Sequence, residues 1–209
     1  GSDFVCAHVR RGDFEHSCRL YEEEYRSGQG REWVSTMLGE GSLCWVTEEV
    51  FLKHMETLTL RLPEELGVSP RFVYVSTDDD AFLAAVRWTS RVPVFALDDV
   101  LGGGSGGTGG GPHGARAVPP DLRLGPEGVG ADLVHAAGPM IDVSACSRAA
   151  VLLLNRFSTF SAMIKGKAAQ SPGFVKALYW KDPPQLASVN PQPALASPGA
   201  TPSAREGDG

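Results

Sequence analysis

Phe4-Val5-Cys6-Ala7-His8-Val9-Arg10-Arg11-Gly12-Asp13-Phe14 is the stretch from which the fold is read. Its first half is apolar and β-rich. It then breaks into His, two Arg, Gly and Asp. That pattern reads as a buried strand ending in a polar loop. In open α/β sheets, ligands bind just past the carboxyl ends of strands. Two guanidiniums there suit a phosphate or pyrophosphate, because Arg offers a planar fork of donors that never loses its charge. An Arg–Asp pair that only staples the loop fits the same residues. These residues alone leave both readings open.

A second motif lies near the other end of the chain. Asp142-Val143-Ser144-Ala145-Cys146-Ser147-Arg148-Ala149 leads into the apolar run 150–154, then into Asn155-Arg156-Phe157-Ser158-Thr159-Phe160-Ser161-Ala162. The apolar run suits a parallel strand covered on both faces. A helix-like segment follows through Met163, Ile164 and Ala168. Ser158 and Thr159 stand where N-caps stand. A helix N-terminus after a strand presents unpaired N–H groups and the positive dipole end, an anion site. Plain capping explains the same two residues.

Between these motifs, Thr47 and Glu49 open a helix carrying Val50, Phe51, Met55, Leu58 and Leu62 at helical spacing. Pro63 bends or ends it, and Gly67 closes the next short segment. Residues 15–46 read as a long loop with one helix at most, the run Glu22-Glu23-Glu24 being a solvated face. Phe72-Val73-Tyr74-Val75-Ser76 is a strand. Thr77-Asp78-Asp79-Asp80 caps a helix with Phe82, Leu83, Val86 and Trp88. Residues 92–97 form a weaker strand, demoted toward the sheet edge by Pro93. Residues 131–149 read as helical, broken near Gly138-Pro139. Residues 174–180 are a last strand or helix turn. This alternation predicts an α/β fold with a Rossmann-like doubly wound parallel sheet over residues 1–180. Residues 102–111 hold eight Gly, one Ser and one Thr. They lack the Lys-Ser/Thr ending of a P-loop and read as a flexible insertion. Residues 181–209 are Pro-, Ala- and Ser-rich and read as a disordered tail.

The two motifs and Phe72-Val73-Tyr74-Val75-Ser76-Thr77-Asp78 together resemble the protein O-fucosyltransferases, over roughly residues 3–180. The resemblance implies the C-terminal, donor-binding half of a GT-B glycosyltransferase. Such an enzyme transfers fucose, with inversion, from GDP-fucose to a Ser or Thr hydroxyl of a protein. It implies a lumenal enzyme of the endoplasmic reticulum or Golgi. It also implies that the acceptor-binding half, with the proton-accepting carboxylate, precedes this stretch, so that the chain alone binds donor weakly and transfers nothing. The chain opens Gly1-Ser2-Asp3 and passes directly into a strand; neither a leader peptide nor a membrane span is legible, which reads as a fragment or a cytosolic protein.

By the same resemblance, Arg10 is the pyrophosphate arginine and the catalytic residue, while Asp142 receives guanine. His8, Arg10, Asp142, Ser158, Thr159 and Phe160 form the donor set. Asp142 suits its role chemically. A buried carboxylate needs donors, and guanine offers N1–H and the N2 amine side by side. His8 either touches the nucleotide or is structural. Arg11 pairs with Asp13 or holds the loop. Asp78-Asp79-Asp80 invites a divalent cation, but acids in a first helical turn have a dipole reason to be there. The resembled enzymes hold their diphosphate without an acidic metal motif, so neither metal nor cofactor is expected beyond the donor. Ser158, Asp142 and His8 lack the elbow of a hydrolase triad.

The chain has 209 residues, 42% hydrophobic, and a formal net charge of −6. That length can bury a sizeable core. The charge argues against broad binding to nucleic acid or anionic membranes. The four cysteines, Cys6, Cys18, Cys44 and Cys146, lack finger spacing. Cys6 and Cys146 read as small core residues. Cys18 and Cys44 flank a polar segment and can be bridged, which suits an oxidising lumen. Two other classes fit the same sequence. One is a non-catalytic nucleotide- or anion-binding module. The other is an interaction protein that has lost catalysis.

Overall fold

A computed structural model describes residues 3–27, 44–101, 119, 122 and 131–180. Strand β1 is Phe4–Val9, followed by helix α1, Phe14–Ser27. Helix α2 is Glu48–Leu66, β2 is Phe72–Thr77 and α3 is Asp80–Thr89. Then come β3, Val94–Phe95, and the one-turn helix α4, Leu97–Val100. Helix α5, Ala131–Cys146, precedes β4, Val151–Leu154; α6, Thr159–Ala168, precedes β5, Lys176–Tyr179. The described strands form one parallel sheet in the order β3-β2-β1-β4-β5. The chain winds outward from β1 to β3, then crosses to β4 on β1's other side. That is the doubly wound Rossmann-like order, with its switch point between β1 and β4.

Strand β1 is central, and all six of its residues are buried. Its side chains alternate between two cores. Val5, Ala7 and Val9 join Phe51, Met55 and Leu58 of α2, and Phe82 and Val86 of α3. Phe4 and Cys6 join Val143 and Cys146 of α5, and Ile164 of α6. His8 has the parity of the second face, which turns its ring toward α6. Each sheet face is therefore covered by helices, as continuous apolar strands require.

The caps follow the residue types. The Thr47 hydroxyl accepts from Val50 N–H at 3.3 Å. The Asp79 carboxylate accepts from Phe82 N–H at 2.8 Å. Gly67 ends α2 with φ +66°. Pro63 sits inside the last turn of α2 and does not end it. Gly138-Pro139 does not break α5 either. Proline lacks its own N–H and crowds the carbonyl one turn back, and α5 carries it on its way to Cys146. The weak strand at Pro93 shrinks to two residues at the sheet edge, as expected from the missing donor. The Glu22–Glu24 run falls on α1, the one helix that this stretch was expected to allow.

Both pairs of cysteines are bridged. Cys18–Cys44, with Cα atoms 5.5 Å apart, matches the expectation. Cys6–Cys146, with Cα atoms 5.2 Å apart, corrects the reading of both as unpaired core residues. They are core residues, fully buried, but they face each other across the sheet–helix interface at bonding range. The glycine-rich stretch 102–111 and the tail 181–209 lie outside the described residues. Among the described residues, no helix is long and apolar enough to cross a membrane.

Candidate functional site

The carboxyl edge of the sheet opens into a cleft of about 530 Å³, within the usual range for small-molecule sites. Three strand ends and two helices build it. The β1 loop gives His8 and Arg10, and the β2 end gives Ser76, Thr77 and Asp78. Helix α5 gives Gly138, Pro139 and Asp142, with Leu97 of α4 beside them. The β4–α6 junction gives Ser158, Thr159 and Phe160. All six residues singled out from the sequence thus line one cleft.

The β1 loop turns on Gly12, at φ +52°. A Cβ there would also lie 2.8 Å from the Asp78 carboxylate. The loop wraps that acid closely. Asp78 accepts from the Arg11 backbone N–H at 2.7 Å and from the Arg10 guanidinium. Arg10 reaches Asp13 as well, at 2.6 Å. Hence Arg10, not Arg11, is Asp13's partner. Arg10 gives one N–H to each carboxylate and keeps three of its five donors. Asp13 is largely exposed, and such pairs contribute only about 0–1 kcal/mol.

Arg11 points the other way. It donates to the Val46 carbonyl at 2.9 Å and pairs with Asp79 at 2.8 Å and Glu48 at 3.2 Å. Its guanidinium lies over the rings of Trp45 and Phe82, 4.8 Å from each centroid. It ties the loop to the starts of α2 and α3. The acidic triplet divides its labour in turn: Asp79 caps α3 and Asp78 anchors the β1 loop. Among the described residues, no cluster of His, Cys, Asp and Glu suits a metal ion.

His8 bonds through Nδ1 to the Ser161 hydroxyl at 2.7 Å, and its ring lies 5.0 Å from that of Phe160. Its backbone carbonyl accepts from the Trp180 indole at 3.0 Å. Burial, with the nearby charge of Arg10, pushes its pKa from 6.5 down to about 4. The imidazole is therefore neutral at physiological pH.

Asp142 stands on α5, over the same sheet face. Tyr74 donates its hydroxyl to Oδ1 at 2.5 Å, and Ser76 donates to Oδ2 at 2.8 Å. Burial raises the Asp142 pKa above the usual carboxylate range, although both hydroxyls pull it down. Tyr74 is pushed upward by its own burial and by Asp142's charge.

Ser158 occupies the N-cap of α6, yet its side chain makes no capping bond. Plain capping does not account for it. Its backbone N–H bonds to the Asn155 carbonyl at 3.3 Å. The first-turn N–H groups of α6 and its positive dipole end stand at the cleft. Asn155, fully buried, shapes this junction: it donates to the Cys44 carbonyl at 2.9 Å and accepts from Phe157 N–H at 2.9 Å. Ser161 accepts from Asn155 N–H at 3.1 Å while holding His8.

Tyr74, Ser76 and Ser161 are missed by motif reading. Strand parity is the signal that finds the first two. Cys6 pairs with Tyr74 and His8 with Ser76 in the β1–β2 register, so all four share the face beneath α5 and α6.

No protein-family model and no curated protein matches the chain. Among solved structures it is similar to POFUT1, a GDP-fucose protein O-fucosyltransferase. The POFUT1 complex with GDP is 14% identical at a TM-score of 0.40, over 86% of this chain and 43% of that one. Two complexes with GDP-fucose are 15% and 18% identical, at TM-scores of 0.42 and 0.41, over 86% of this chain and 42% of theirs. The chain therefore spans less than half the length of these structures.

Proposed function

We propose that this chain is the donor-binding half of a fucosyltransferase, taking GDP-fucose and delivering fucose to a protein Ser or Thr hydroxyl. One observation carries the reading. Arg10, Asp142 and the Ser158–Thr159–Phe160 turn, far apart in sequence, line a single cleft at the carboxyl edge of the sheet. The residue types divide as a nucleoside diphosphate divides. Asp142 is the acceptor for the N1–H and N2 amine of guanine. Arg10 and the N-terminus of α6 face the diphosphate, with His8 and Phe160 between.

In the transfer, the acceptor oxygen bonds to the anomeric carbon of fucose. The bond from that carbon to the β-phosphate oxygen breaks, and its electron pair stays on the phosphate. Negative charge grows at that oxygen. A fixed guanidinium and oriented N–H groups there act more on the transition state than on the ground state. Arg10 exchanges its exposed pair with Asp13 for the phosphate at small cost. The acceptor's proton leaves to a base, a role assigned to none of the described residues. Two disulfides suit an oxidising compartment, in keeping with a lumenal site.

Saturation-transfer NMR with GDP-fucose tests the reading. Signal on both guanine and fucose protons, displaced by GDP and lost in Arg10→Ala, is expected. Absence of any GDP-fucose signal, or displacement by UDP as effective as by GDP, refutes it. An interaction protein that has lost catalysis has one observation in its favour, the engagement of Arg10 by two carboxylates, which staples its loop. Absence of any GDP-fucose signal, with the Arg10→Ala protein melting below wild type, would select it.

A further inference from the structure

The Asp142 carboxylate in the cleft wall is held through both oxygens. Tyr74 grips Oδ1 and Ser76 grips Oδ2, at 2.5 and 2.8 Å. Both donors rise from alternate positions of β2, so both approach from the sheet side. Each carboxylate oxygen accepts about two hydrogen bonds, and Asp142 also lines the cleft. An acid gripped at two points cannot turn about its last torsion. Its remaining lone pairs keep one orientation, side by side.

We propose that Tyr74 and Ser76 are positioning residues for base selection, fixing the Asp142 carboxylate so that its remaining lone pairs meet two adjacent N–H groups of a purine. The proposal rests on the guanine reading given above. Packing alone does not call for either hydroxyl. A phenylalanine fills the core at Tyr74, and alanine fits at Ser76.

The hydroxyls also favour the charged acid. The other groups around it do little in that direction. On β1, His8 is neutral at physiological pH, and Arg10 beyond it is engaged by Asp78 and Asp13. On α4, Asp98 and Asp99 are both paired with Arg87. At the start of α6 stand Ser158, Thr159 and Phe160, none of them titrating near neutrality. Burial drives Asp142 toward its neutral form, and a protonated acid no longer accepts both guanine donors. Tyr74 and Ser76 are the groups that oppose this.

Two measurements on the whole chain test the proposal. The first follows the Asp142 carboxyl carbon by 13C NMR during acid titration without nucleotide, assigned by comparison with Asp142→Asn. The second is calorimetry with GDP and ADP across the same pH range. Tyr74→Phe is expected to raise the Asp142 midpoint by about one pH unit, the worth of one hydrogen bond to a charged group. The acid limb of GDP affinity moves with it, GDP affinity near that limb falls about tenfold, and ADP affinity stays put. Ser76→Ala moves the same readouts in the same direction and guards against a folding defect in the first variant. Equal binding of GDP and ADP by the wild-type chain would refute the guanine reading itself. An Asp142 midpoint unchanged in both variants would refute the positioning role, whichever nucleotide binds.

Discussion

Cys6 and Cys146 are bonded through a disulfide that ties β1 to the end of α5, with Cα atoms 5.2 Å apart. His8 lies two residues beyond Cys6, about 6–7 Å along a strand. Asp142 lies one helical turn before Cys146, about 6 Å along a helix. Strand and helix therefore run from one covalent tie to the same cleft over nearly equal lengths. The disulfide joins the strand that bears His8 to the helix that bears Asp142.

Removing that tie should loosen both fold and site. Cys6→Ala with Cys146→Ala is expected to lower unfolding free energy by about 2–5 kcal/mol, read from the denaturant midpoint with Cys18–Cys44 intact. GDP affinity should fall in the same protein. An unchanged midpoint would show that the tie is idle.

Two glycines with positive φ should behave differently. Gly12→Ala meets both a left-handed backbone and the Asp78 carboxylate, so it should displace Arg10 and weaken GDP binding. Gly67→Ala meets nothing within 4 Å. It should cost about 1–2 kcal/mol of stability and leave GDP affinity alone. Thermal melts and calorimetry on both variants separate the two effects; equal GDP affinities would contradict the loop's role.

Adjacent arginines should also part ways. Arg10→Ala should remove GDP binding with little change in melting temperature, since its ion pairs are solvent-screened. Arg11→Ala strips a carbonyl, two acids and two aromatic faces of their partner. It should lower the melting temperature and leave the phosphate chemistry to Arg10. The reverse pattern would exchange their assigned roles.

Stability should fall with acid through His8. Its folded pKa of about 4 lies below the unfolded 6.5. Between those values the unfolded chain binds the extra proton, so stability present above 6.5 is lost as pH falls toward 4. Asp142 acts in the opposite sense, because its folded pKa is raised above 3.8 and the native state takes its proton first. His8→Asn should flatten the acid loss, to a limit of about 1.4 kcal/mol per pH unit for one proton. Urea midpoints from neutral pH downward check it. An equal slope in wild type and variant would contradict a buried neutral imidazole.

The sheet was readable from apolar runs and their spacing, since β1, β2 and β4 are buried on both faces and tolerate little else. The site was readable where chemistry is concentrated in a motif, as at Arg10 and at Ser158 to Phe160. Asp142 stood out as an acid among apolar residues. What escaped depends on register. The Cys6–Cys146 bond joins residues whose meeting requires β1 and α5 to be docked first. Tyr74 and Ser76 look like ordinary strand residues until parity sets them under Asp142. The partners of Arg10 and Arg11 also escaped, because they depend on how the loop folds: Arg10 takes Asp13, while Arg11 turns to Val46, Glu48 and Asp79.

The most direct test of the central claim is calorimetry of GDP and ADP against the wild-type chain and Asp142→Ala at neutral pH. Wild type should bind GDP more tightly by about 1.5–3 kcal/mol, roughly 10- to 150-fold, through the charge-assisted pair. Asp142→Ala should bind both nucleotides alike, at the weaker affinity. GDP and ADP bound equally by the wild-type chain, or a GDP preference that survives Asp142→Ala, would contradict it.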